Sequence, residues 1–166
     1  MGPAGAGKSR IGTELAAALA LEFFEGDASH PPENVAQMAA GIPLTDDTRR
    51  PWLLALSARL RDARASGTGV VLACSALKRS YRDLLRDGDE SIRFILLTGD
   101  VAMLRTRLEV RTGHYMPSTL LDSQLATLEP PDADERAWTF DARESPDRII
   151  ASIVARLARD GGGTNG

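Results

Sequence analysis

Cysteine is almost missing from this chain: Cys74 stands alone, so no internal disulfide can form, which agrees with a reducing compartment. Long apolar runs are missing as well. Nothing approaches the roughly eighteen consecutive apolar residues of a membrane span, and no charged-then-apolar leader opens the sequence. A cytoplasmic protein with no membrane partner is expected. Positive charge is not in excess either: the net charge is -3 and the pI about 5.4, which argues against a nucleic-acid partner. Only two histidines occur, His30 and His114, and they lack the cysteine or carboxylate company of a metal site. Lysine accounts for just two of the twenty basic residues, at Lys8 and Lys78, and in a chain otherwise given over to arginine these two ammonium groups stand out.

Two further absences narrow the chemistry. No guanine-reading Asn-Lys-x-Asp occurs, so a GTPase is unsupported. No apolar run ends in the Asp with which ATPases hold Mg²⁺; the relevant one ends Ala73-Cys74-Ser75.

What is present opens the chain. Gly2-Pro3-Ala4-Gly5-Ala6-Gly7-Lys8-Ser9 fits G-x-x-x-x-G-K-[ST], the phosphate-binding loop, and runs directly into an apolar-periodic helix. Glycines at Gly5 and Gly7 let the backbone turn its amides inward around a phosphate. Lys8 supplies a mobile ammonium for the β- and γ-phosphates, and the Ser9 hydroxyl is placed for Mg²⁺. The positive end of the helix dipole points at the same anion. Gly2, Gly5, Ala6, Gly7, Lys8 and Ser9 are therefore the predicted nucleotide-binding residues.

Along the chain, Arg10 to Leu21 reads as the helix closing that loop, and Leu21 to Phe24 as a short strand. A Gly-, Asp- and Pro-containing loop at 25–32 is followed by a helix over 33–40 and by a longer one capped at Thr45 or Asp46 and reaching about Ser66. Strands are expected at 69–74, 92–97 and 138–141, with helices at 78–86, 100–111, 117–128 and from Ser145 to about Leu157. Strands alternating with helices predict a parallel sheet covered by helices on both faces. The 166 residues suffice for one such domain, placed at 1–160 with a disordered Gly-rich tail at 161–166. Extra helical segments at about 27–66 and about 108–129 are natural candidates for a substrate flap and a lid.

Glu25 and Asp27 follow the first predicted strand, and in a parallel sheet the loops after strands gather at one edge. Both carboxylates should then face the phosphate loop. Glu25 is assigned to the hydrated Mg²⁺, and Asp27 to a hydroxyl whose proton it accepts during attack on the γ-phosphate.

In this order, the phosphate loop, Gly26-Asp27-Ala28-Ser29-His30-Pro31, Gly41 to Leu53 with its Asp-Asp-x-Arg-x-Pro-Trp core, Cys74-Ser75-Ala76-Leu77-Lys78, and Arg111-Thr112-Gly113-His114-Tyr115-Met116 resemble the gluconokinase family. That family is similar in fold to shikimate and nucleoside-monophosphate kinases. The resemblance runs from Met1 to about Leu157. It implies ATP- and Mg²⁺-dependent phosphorylation of D-gluconate to 6-phospho-D-gluconate by a P-loop kinase, with catalysis by Lys8 and Asp27, and suggests a homodimer. A polyol acid needs a cation for its carboxylate and partners for its hydroxyls. Arg49, Lys78, Arg82 and His30 offer these beside Asp27. Arg107 and Arg111, at i and i+4, can share a face of the lid helix and reach the nucleotide. His114 falls in the lid loop with the substrate residues, and Gln124 lies where the family also tends to have a polar residue. Two alternatives stand beside this reading: a kinase for another sugar acid or a shikimate-like substrate, and an inactive nucleotide-binding remnant.

The chain departs from the family at Glu25, commonly Asp, and at Thr45, commonly Asn. A larger departure is the lack of a strand before the phosphate loop. In the family that first strand is central, in spatial order 2-3-1-4-5; without it the neighbours stand about 9.5 Å apart with open hydrogen-bonding edges. The expectation is a sheet missing its first central strand, and a natural start upstream by roughly eight apolar residues.

Overall fold

Short apolar runs with turn signals on either side form four parallel-paired strands in the computed structural model, which describes residues 1–110 and 119–161. Strand β1 (Glu22–Glu25) pairs in parallel with β2 (Val70–Ala73), Glu22 opposite Val70. Strand β3 (Phe94–Thr98) pairs in parallel with β4 (Ala137–Asp141), Phe94 opposite Ala137. These are two separate half-sheets, and between them stands Met1. Its amino group donates to Ile95 O, its carbonyl accepts from Leu97 N at 2.9 Å, and Gly2 N donates to Ser75 O at 3.0 Å. Met1 thus makes the two bonds of a parallel bridge to β3, and Gly2 ties that bridge to the end of β2. Beside it the half-sheets enclose a mainly apolar cavity of about 380 Å³, walled by residues such as Ile11, Leu15, Val71, Leu85, Ile95 and Leu97. The lateral order is β1-β2, Met1, β3-β4, so the opening between the half-sheets lies where a central strand was expected.

Helix α1 (Lys8–Leu19) starts from the phosphate loop and packs on β1, β2 and α7 (Pro146–Gly161). Its apolar side, Ile11 and Leu15, joins Leu97, Phe140, Ile149 and Ile153 in one core. A second core lies under α3 (Asp46–Ala65), where Trp52, Leu53 and Leu56 meet Tyr81 and Leu85 of α4 (Arg79–Arg86). Helix α2 (Pro32–Ala39) precedes α3, and Leu44 between them packs with Met38 and Leu120 in a third, small cluster. Helix α5 (Val101–Val110) runs into the predicted lid segment at about 108–129, and α6 (Thr119–Thr127) lies within it.

The local signals behave as their chemistry requires. Thr45 caps α3 in a reciprocal box: its hydroxyl accepts from Thr48 N while Thr45 N donates to the Thr48 hydroxyl at 2.9 Å. Asp100 caps α5 by accepting from Met103 N at 2.8 Å. Most expected boundaries shift by one or two residues, as frayed ends do, while α7 runs four residues past its expected end at Leu157. Within the loop after β1, residues Gly26–Ser29 wind into a 3₁₀ turn. Another such turn, Ala133–Glu135, was not anticipated; a short Asp-rich stretch carries too few residues for a periodic signal. The tail beyond 161 lies outside the described residues.

Candidate active site

The phosphate loop is held in a form that only its glycines permit. At Gly5 φ is +79°, and a Cβ there would lie 2.6 Å from the Leu104 carbonyl of α5. Helix α1 then begins at Lys8 with Gly7 as a cap that offers no side chain, so its first amides are left for a ligand. Ile11 N already bonds Gly7 O at 3.0 Å, which leaves the amides before it facing forward. Lys8 Nζ donates across the loop to Pro3 O at 3.1 Å, within reach of any anion that loop surrounds. Ala4 N is held by the Gln124 side-chain oxygen at 2.7 Å, a buried bond from α6 across 120 positions.

A cavity of about 320 Å³ opens over this loop. Gly5, Gly7, Lys8 and Ser9 form one wall, and Asp27, His30 and Arg49 another, with Arg107 and Gln124 also reaching it. Asp27 arrives from the turn after β1, Arg49 from the first turns of α3, and Arg107 from α5, where its Nη2 donates to Ala142 O at 2.9 Å. The Arg49 guanidinium lies 5.7 Å over the Tyr81 ring, and its Nε is buried without a partner among the described residues. His30 stacks on Trp52, ring centroids 4.0 Å apart. Burial pushes its pKa down to about 4, against the pull of the Asp27 carboxylate and with help from the Arg49 charge, so the imidazole is neutral at physiological pH.

Other predicted site residues stand off the cavity wall. Gly2 and Ala6 shape the loop: a Cβ at Gly2 would collide with the Leu97 carbonyl, and Ala6 is buried beneath. Glu25 ends β1 with its Oε1 buried and unpartnered among the described residues. That orphan acceptor fits a carboxylate awaiting a water or hydrated cation. Among the described residues no three His, Cys, Asp or Glu side chains gather as a metal cage, so a cation here would depend on the Ser9 hydroxyl and the phosphates, the usual habit of Mg²⁺. Lys78, just before α4, places Nζ 2.8 Å from both oxygens of Asp46, whose carboxyl also accepts from the Tyr81 hydroxyl. Those two bonds hold Asp46 below the usual carboxylate range and raise Lys78.

Arg82 is the correction to the sequence reading. It was expected to meet substrate; instead it is 0% exposed and locked onto Glu135, itself 0% exposed. Its Nη2 donates to Glu135 Oε1 at 2.8 Å and its Nη1 to the Leu77 and Glu129 carbonyls at 3.2 and 3.0 Å. A guanidinium fully buried and bonded through all three of its nitrogens is turned to Glu135 and not to the cavity, whose wall it does not join. Arg111 and His114 lie outside the described residues. Gln124, noted in the sequence only as a polar position of the family, reaches the cavity wall, and its bond to Ala4 N had no signal there because the two lie 120 residues apart.

The family model for shikimate kinase matches residues 4–158. The chain is 46% identical over 154 residues to a gluconokinase of Gluconobacter oxydans (strain 621H), covering 93% of this chain and 86% of that protein. It superposes on the crystal structure of an unliganded sugar kinase from Janibacter sp. HTCC2649 with a TM-score of 0.90 and 44% identity, over 95% of this chain and 91% of that one. The crystal structure of a gluconokinase from Sinorhizobium meliloti 1021 matches with a TM-score of 0.84 and 48% identity, over 96% and 89%.

Proposed function

As the chain belongs to the gluconokinase family, within the shikimate kinase-like fold, we propose that its cavity is the place where ATP and D-gluconate meet, with Asp27 and Lys8 as the central pair. The enzyme is a gluconokinase, and its reaction is ATP-dependent phosphorylation of D-gluconate to 6-phospho-D-gluconate. One observation carries the division of roles: Lys8 of the phosphate loop and Asp27 of the turn after β1 line the same cavity.

On this reading the Asp27 carboxylate takes the proton of the 6-hydroxyl as that oxygen bonds to the γ-phosphorus. The bond from γ-phosphorus to the bridging oxygen breaks, and ADP leaves with its electron pair. Lys8 and the forward amides of α1 compensate the charge on the phosphate oxygens. Ser9 and, through water, Glu25 would hold Mg²⁺, which when bound neutralises β- and γ-phosphate charge. Arg49 is the cation for the gluconate carboxylate, since its guanidinium is on the cavity wall whereas Lys78 is paired with Asp46. Arg107 faces the nucleotide side, and Arg111 and His114 keep the lid roles that the resemblance implies. A cytoplasmic homodimer completes the proposal; sedimentation of the purified protein checks the dimer.

A coupled assay for ADP release across gluconate, other sugar acids and shikimate tests the reading. Gluconate is expected to give the highest kcat/KM, and Asp27→Asn to lower kcat by about two orders of magnitude or more. Turnover of Asp27→Asn near the wild-type rate removes Asp27 as the base, and a clear preference for shikimate replaces the substrate.

A further inference from the structure

Trp52 is 1% exposed and forms no part of the cavity wall, yet it touches both ends of the segment that brings Asp27 and His30 there. Its indole N-H donates to Gly26 O at 2.8 Å, and Gly26 immediately precedes Asp27. Its ring faces His30 at 4.0 Å with 16° between the planes. Gly26 has no freedom on its other side: a Cβ there would stand 2.7 Å from Ala73 O and 3.1 Å from Cys74 Cβ. The turn is also closed on itself, with His30 N reaching Asp27 O at 3.4 Å. The segment Gly26–His30 is therefore clamped between the end of β2 and one side chain of α3. The His30 ring lines the cavity, and its Nδ1 is buried without a partner among the described residues.

From this arrangement we propose that Trp52 is the positioning residue of the acceptor subsite: its N-H sets the carboxylate of Asp27, and its ring face sets His30 at the cavity wall so that the imidazole takes a neighbouring hydroxyl of the sugar acid. The inference rests on the functional reading above and adds the element that fixes acceptor geometry. A polyol hydroxyl both donates and accepts, so it completes an imidazole nitrogen in either tautomer. Burial that keeps His30 neutral preserves that versatility, and the stacked indole provides part of the burial. The two contacts of Trp52 are separable: the hydrogen bond bears on the reacting group and hence on kcat, and the stack bears on substrate binding and hence on KM.

Trp52→Phe keeps an aromatic face and removes the N-H; Trp52→Leu removes both. For enzyme that melts cooperatively, Trp52→Phe is expected to lower kcat for gluconate about tenfold with KM for gluconate within about twofold. Trp52→Leu should lower kcat similarly and raise KM for gluconate about tenfold, while KM for ATP stays within about twofold in both. Proton NMR gives a readout independent of turnover: ring signals of His30, assigned with His30→Gln, should be shifted upfield by the indole in the wild type and lose that shift in Trp52→Leu. Wild-type kinetics in both variants, or KM values for ATP and gluconate rising together, overturns the proposal, as does an unchanged His30 shift in Trp52→Leu. Failure of the wild type to phosphorylate gluconate would instead sink the functional reading, and the NMR comparison would still decide whether Trp52 holds His30.

Discussion

His30 shows how much a single environment changes a residue. In an unfolded chain its imidazole titrates near 6.5, and in the folded protein near 4, chiefly through burial against Trp52 and the cavity wall. Between those values only the unfolded chain takes up the proton, so falling pH favours unfolding; above about 6.5 both states are neutral and the residue contributes no slope. Wild-type stability should therefore fall more steeply than that of His30→Gln as pH drops from 6.5 toward 4, with parallel behaviour above pH 7. Urea unfolding at a series of pH values measures the difference. Equal slopes for the two proteins would mean that His30 is already solvated in the fold. That this histidine belonged to the loop facing the phosphate-loop cavity was legible in its motif; that it is neutral and stacked was not, since its ring partner lies 22 positions along the chain in another helix.

At the scale of elements, α4 is the clearest case of one helix with a role its sequence concealed. Tyr81, Arg82 and Leu85 are its buried side, and Arg82 uses that side to bind Glu135 and the carbonyls of Leu77 and Glu129. Removing one member of a buried ion pair leaves the other charge without compensation, a loss of about 3–5 kcal/mol. Arg82→Met is expected to destabilise by that order in equilibrium unfolding, while folded enzyme keeps KM for gluconate within about twofold of wild type. A large rise in KM with little loss of stability would return Arg82 to the substrate. In the sequence, Arg49 and Arg82 are the same residue type at comparable positions of amphipathic helices. Their fates separate because Glu135 waits for one and the cavity for the other.

The whole molecule is two half-sheets joined at Met1 and Gly2, directly before the loop that takes phosphate. Helix α1 packs on β1, β2 and α7, so a ligand held at its N-terminus bears on both halves. A ligand that binds only the folded state stabilises by mass action, about 2.7 kcal/mol at a hundredfold excess over Kd, which for a domain of this size raises Tm by roughly 5–10 °C. A non-hydrolysable ATP analogue with Mg²⁺ should produce that shift in a thermal melt, and Lys8→Ala should abolish most of it. No shift in the wild type would mean that the loop does not accept a triphosphate in this fold.

The phosphate loop, the caps at Thr45 and Asp100 and the alternation of strand and helix were determined by the sequence alone, because each depends on residues within one or two turns of one another. Tertiary structure decided which arginine faces the cavity, where the Trp52 ring is spent and how Gln124 secures Ala4. Those choices rest on partners tens of residues away, and a side chain's donor groups do not specify whether a buried carboxylate or a ligand will meet them until packing has brought one of the two within reach.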